Sequence, residues 1–199
     1  MKNFGPIDNT AESEAMQTLF FADVEFEGVF YKASGAHYLA FLSMRGEEIP
    51  AEIERMQAVL QNYPTALVER DIVRLFTARN WRFHNVACVV MACGFVTENT
   101  VAALWQGIRQ GSWVSPQLCS TALYIDPNFK GKAMALVGNS DTYFKSIVPL
   151  AVLLQEECGI QFPWWNKIFW NIRKAKKIDR DNSGSIASGW LGSLRNAFG

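Results

Sequence analysis

The sequence predicts a mainly α-helical single domain, with a small β element near residues 22–31. Three observations carry that reading. From about residue 50 onward, apolar residues recur at helical rather than alternating spacing. Cap-like and proline-start signals punctuate this stretch at short intervals. The helices they delimit also match one another at a period of 32 residues. At 199 residues and 49% hydrophobic, the chain can bury a real core.

Taken in order, residues 18–44 open with Val24, Phe26 and Val29 alternating with charges around Gly28, as in a short hairpin. His37–Met44 then reads as helical. Pro50 sits at a helix first turn, followed by Ile53, Met56, Val59 and Leu60. The pattern restarts at Pro64 or Thr65 and runs through Leu67, Val68, Ile72, Leu75 and Phe76. Asn80 is an N-cap for a helix through Met91, and Gly94 a stop. Thr97–Gly111 follows, then Ser115-Pro116 opens a helix through Ile125. Asp126-Pro127 repeats that signal for a helix to about Val137. Ser140 or Asp141 caps a longer helix through Glu157.

The helices pair up. Ile72, Leu104 and Leu136 are spaced by 32 residues, and so are Val73, Trp105 and Val137. In the second helix of each pair the matching sets are Val86, Leu118 and Leu150; Ala87, Cys119 and Ala151; and Val90, Ala122 and Leu154. Trp81, Trp113 and, one residue early, Phe144 open those second helices. The small-residue column predicts close approach of neighbouring helices. Over Pro64–Cys158 this arrangement resembles HEAT-like (armadillo-type) α-helical repeat proteins. The resemblance implies a short stacked solenoid or a compact helical bundle, and binding rather than catalysis. Small bacterial proteins of this look include toxin-neutralising immunity proteins and adaptors. Residues 1–63 read as an N-terminal cap region, 64–158 as the repeats, and 159–199 as C-terminal aromatic and basic helices.

Charge is unevenly placed. Nineteen basic and nineteen acidic side chains give a formal net charge of zero, which argues against a nucleic-acid partner. Residues 1–60 carry a net of −6, and residues 160–199 a net of +5. If binding is charge-steered, the two ends choose the partner.

Three segments are candidates for function. Trp105, Arg109, Gln110, Trp113 and Gln117, with Arg79 and Arg82 from the equivalent earlier loop, form the predicted protein-binding ridge. Phe162–Lys177 is aromatic and basic, with Trp165, Ile168, Phe169 and Ile172 on one helical face. That fits packing on the last repeat, docking on a partner, or contact with an anionic membrane. Asp179–Ile186 resembles the first eight positions of an EF-hand loop, with Asp179, Asp181, Ser183 and Ser185 as oxygen donors. Calcium is the one cofactor such a loop would take. Position 12 falls on Trp190 rather than glutamate, and a polar turn between helices is the alternative.

Catalytic motifs are absent from the sequence: there is no HExxH, GxSxG, P-loop or glycine-rich dinucleotide turn. His84 and Cys88, four residues apart, are the one nucleophile–base spacing, but Cys88 lies in an apolar run. A non-enzymatic role is therefore expected, with an enzyme of unrecognised type as the alternative. The four cysteines lack CxxC spacing and read as buried reduced thiols of a cytoplasmic protein. No cleaved signal peptide is expected, because the first residues lack an apolar run. The Val86–Val96 stretch is too short to span a bilayer.

Overall fold

The structure, a computed structural model, describes residues 6–35 and 38–199. It is mainly α-helical with one two-stranded antiparallel sheet among the described residues. The first element among the described residues is a short helix, α1 (Asn9–Met16), which the sequence analysis does not predict. Its signal is local: the Asp8 carboxylate accepts hydrogen bonds from Thr10 N at 2.9 Å and Ala11 N at 3.4 Å. The hairpin follows as β1 (Phe21–Phe26) and β2 (Val29–Ser34). Glu27 (φ 52°) and Gly28 (φ 76°) form its two-residue turn, the left-handed pair that matches strand twist. His37, expected at the start of the next helix, lies outside the described residues; α2 covers Tyr38–Ser43.

The remaining helices fall close to their sequence signals. They are α3 (Ile49–Gln61), α4 (Thr65–Thr77), α5 (Trp81–Ala92), α6 (Glu98–Gln110), α7 (Ser115–Ile125), α8 (Phe129–Gly138), α9 (Phe144–Glu156), α10 (Lys167–Ile178) and α11 (Ser183–Phe198). Asn80 caps α5 by accepting from Arg82 N at 3.1 Å. Thr97 and Thr100 form a reciprocal capping box at the start of α6.

The helices sort into rows. α5, α7 and α9 lie side by side, with α4, α6, α8 and α10 packed against them. In α5 every residue from Phe83 to Ala92 is buried, and in α7 every residue from Ser115 to Ala122. A helix buried all round needs cover on more than one side. That cover comes from α2 on α5 and from α11 on α7 and α9. The face that an open solenoid would leave free is therefore filled, and the compact bundle is the form seen.

The repeated columns are core positions. Of those fifteen side chains all but Val73 are buried. Small residues also let α11 dock closely. A Cβ on Gly184 would lie 2.6 Å from Val152 Cγ2, and Ser120 Oγ donates to Ala187 O at 2.8 Å. The N-terminal segment is tied on by buried Asp71, which accepts from Leu19 N at 2.9 Å and is paired with Arg70.

Candidate functional site

The α6–α7 loop is held from below by a buried polar chain. His84 Nε2 donates to Ala78 O at 2.7 Å. Its Nδ1 then accepts from Ser112 Oγ, also at 2.7 Å. Ser112 Oγ in turn accepts from Val114 N at 3.2 Å. Ser115 Oγ donates to Ser112 O at 2.8 Å, and Ser146 Oγ donates to Ile108 O at 2.7 Å. Burial pushes the His84 imidazole down to about 4, so the ring is neutral and this tautomer is fixed by its partners. Both ring nitrogens are thus engaged away from Cys88. Burial also raises that thiol to about 12. The pair forms no nucleophile–base dyad.

Above this support, Trp113 stands 55% exposed between two buried residues, Ser112 and Val114. Its ring lies 5.2 Å from that of Trp81, which packs edge-on against Tyr38 at 5.7 Å. The Arg82 guanidinium sits over both Trp81 (5.0 Å) and Tyr38 (5.3 Å). Arg79 reaches Gln110 O at 3.5 Å and joins the two loops beneath. These contacts make one ridge across the N-terminal ends of α5 and α7.

On its other side Trp113 lines a cavity of about 330 Å³ between α2, α7, α9 and α11. Leu42, Val114, Pro116, Ile186 and Trp190 supply apolar walls. Gln117 is buried at its floor, with Nε2 donating to Leu42 O at 3.1 Å. Trp190 is fixed by an Nε1 hydrogen bond to Phe41 O at 3.1 Å. The charged lining is Arg45, Lys145 and Asp181, the last two ion-paired. Among the described residues Arg45 has no acidic partner. The cavity contains neither histidine nor cysteine. Its chemistry is that of a mostly apolar recess with one uncompensated cation at the rim.

The predicted ridge residues are partly brought together. Arg79, Arg82, Gln110 and Trp113 meet, Gln117 lines the adjoining cavity, and Arg109 is exposed in the last turn of α6. Trp105 is the correction: it is buried and belongs to a different cluster. Its Nε1 donates to Asp126 Oδ2 at 2.6 Å, and Lys132 Nζ donates to the same oxygen at 2.8 Å. Burial alone would raise the Asp126 carboxyl, but the bonds from Lys132, Trp105 and Asn128 N hold it below the usual range. Replacing Asp126 by alanine orphans the indole N–H and takes away the acceptor of Asn128 N. Stability is expected to fall by about 2 kcal/mol, read as a lower urea midpoint at unchanged slope. An unchanged midpoint would contradict this role.

The EF-hand reading of Asp179, Asp181, Ser183 and Ser185 is also corrected. Helix α11 starts at Ser183, so loop positions 5 to 7 are helical and cannot wrap an ion. Asp179 Oδ2 instead accepts from Ser183 N at 2.9 Å and Ser183 Oγ at 2.8 Å. Asp181 is taken up by Lys145. Among the described residues no group of three or more His, Cys, Asp or Glu side chains is placed to hold a metal. Asp181, Ser183 and Ser185 still belong to the site, because they line the cavity beside Trp113 and Gln117. Two separate sequence candidates thus share one surface.

Sequence reasoning missed Arg45, Lys145 and Trp190. Each is isolated in the sequence, and only the packing of α2, α9 and α11 on α7 assembles them. The chain matches no protein-family model, no curated protein and no solved structure. No helix among the described residues is long and apolar enough to cross a membrane.

Proposed function

We propose that the protein is a non-catalytic binding module that holds another protein on the ridge and cavity around Trp113. The observation that carries this reading is the continuity of that surface. Exposed Trp113 and Arg82, backed by half-buried Trp81 and Tyr38, form a ridge, and Trp113 also walls the adjoining recess. Tryptophan, tyrosine and arginine dominate binding hot spots, and anchors seat in preformed pockets. The partner that fits inserts an apolar side chain and sets a carboxylate near Arg45. The support beneath Trp113 keeps the ridge in its binding shape, so little ordering cost falls due on association.

The narrower form of the reading is an immunity protein that blocks a toxin's active site by steric occlusion. The paired helices at a 32-residue spacing support kinship with HEAT-like repeats, with the inner row closed off by α11. The four free cysteines fit a reducing cytoplasm.

Capture from the native cell tests the reading when the bait is compared with a ridge variant. Trp113→Ala combined with Arg82→Glu should lower retention of the captured protein at least tenfold. Thermal melting should be unchanged, since both side chains are exposed. Equal retention by the variant and the parent would refute the assignment.

A further inference from the structure

Helix α10 carries a surface that neither the core nor the ridge uses. Ile172 and Ala175 are buried against α8 and α9, and Asn171 donates to Val137 O at 2.6 Å. The opposite face is solvent-exposed. Trp170 stands at its centre, 46% exposed. Arg173, Lys174 and Lys177, at i+3, i+4 and i+7, surround it on the same face. No acidic residue occurs in α10, and none of its cations has a carboxylate partner among the described residues. Just before the helix, Trp164 and Trp165 are 67% and 72% exposed. Trp165, expected on one helical face with Ile168, Phe169 and Ile172, lies before the helix and is exposed.

We infer that this face docks on the surface of an anionic lipid bilayer. Three exposed indoles, together with the unpaired cations around Trp170, combine the two signals of an interfacial helix. These are amphipathic aromatic rings at headgroup depth and basic charge toward anionic lipid. Geometry favours lipid over nucleic acid. Stacking bases need open ring faces, whereas the Arg173 guanidinium already covers Trp170 at 5.2 Å. Trp164 and Trp165 are set edge to face at 82°, so they offer no shared platform. A bilayer makes no such demand, because ring edges insert into it without matching a shape. The acidic excess of residues 1–60 lies largely on α1, the hairpin and α3; α1 packs on α4, α3 on α5, and the hairpin meets α5 through Phe21 against Phe83. Helix α10 packs at the α8–α9 end. That charge separation turns the basic end toward a negative surface.

Vesicle pelleting tests the assignment. The full-length protein should sediment with phosphatidylcholine vesicles that contain phosphatidylserine, and not with phosphatidylcholine alone. Lys174→Glu with Lys177→Glu should weaken partitioning at least about tenfold. Lys174→Arg with Lys177→Arg should preserve it. Trp165→Ala should weaken binding even where the charges are intact. Absence of binding to phosphatidylserine vesicles would overturn the inference. So would charge reversal without effect, or single-stranded DNA competing the protein off at equal charge concentration. Circular dichroism of each variant separates loss of binding from loss of fold.

Discussion

Gly111→Ala is expected to destabilise the protein by about 3 kcal/mol or more, or to prevent folding. Gly111 ends α6 with φ 91° and ψ 148°, a backbone region nearly confined to glycine. That strain alone costs on the order of 1–3 kcal/mol. A Cβ there would also overlap Tyr143, whose own Cβ would lie only 2.7 Å away. Tyr143 is buried at the start of α9, so its stem cannot swing aside. The added overpacking is worth about 1–3 kcal/mol. Gly192→Ala is the internal contrast. Gly192 lies within α11 with open space where a Cβ would go. That change should be neutral or stabilising by up to about 1 kcal/mol. Chemical denaturation of the two variants beside the parent checks both signs. Equal midpoints for Gly111→Ala and the parent would contradict the described α6–α7 loop.

A second large effect is expected on mild acidification. His84 is held at about 4 in the fold, against an ordinary 6.5. The unfolded chain therefore takes up this proton first as pH falls. The stabilisation is complete above pH about 6.5 and is lost progressively between there and about 4, for a total of about 3 kcal/mol. Urea midpoints at pH 7 and 5 measure the upper part of that window, where most carboxylates are still ionised. His84→Gln should flatten the slope, since the amide cannot charge. A slope identical to that of the parent would place the sensitivity elsewhere.

The helix boundaries were legible because they are local. Asn80 caps α5 and Pro116 sits in the first turn of α7, while Asp126-Pro127 lies just ahead of the α8 start at Phe129. The core columns were legible because a repeated packing environment selects the same apolar class each time. The start of the last helix was not. Asp179–Ile186 is rich in aspartate, serine and glycine and reads as a polar turn, yet α11 already begins at Ser183. Those same small residues are what let α11 press onto α7 and α9, which no local rule reports. The burial of Trp105 was hidden for the same reason. Its partner Asp126 lies beyond the next helix, and a tryptophan near an arginine looks alike whether it faces water or a carboxylate. The cavity is wholly a product of long-range packing. Its lining comes from four separate stretches between Leu42 and Trp190.

The most direct test of the binding surface is site-specific photo-crosslinking in the native cell. A benzophenone amino acid replaces Trp113 in one version and Val96 in another. Val96 is also exposed but lies outside both ridge and cavity. A discrete protein adduct formed from position 113 and absent from position 96 is the predicted result. No adduct at 113, or the same adducts from both positions, would contradict the assignment of this surface as the protein-binding site.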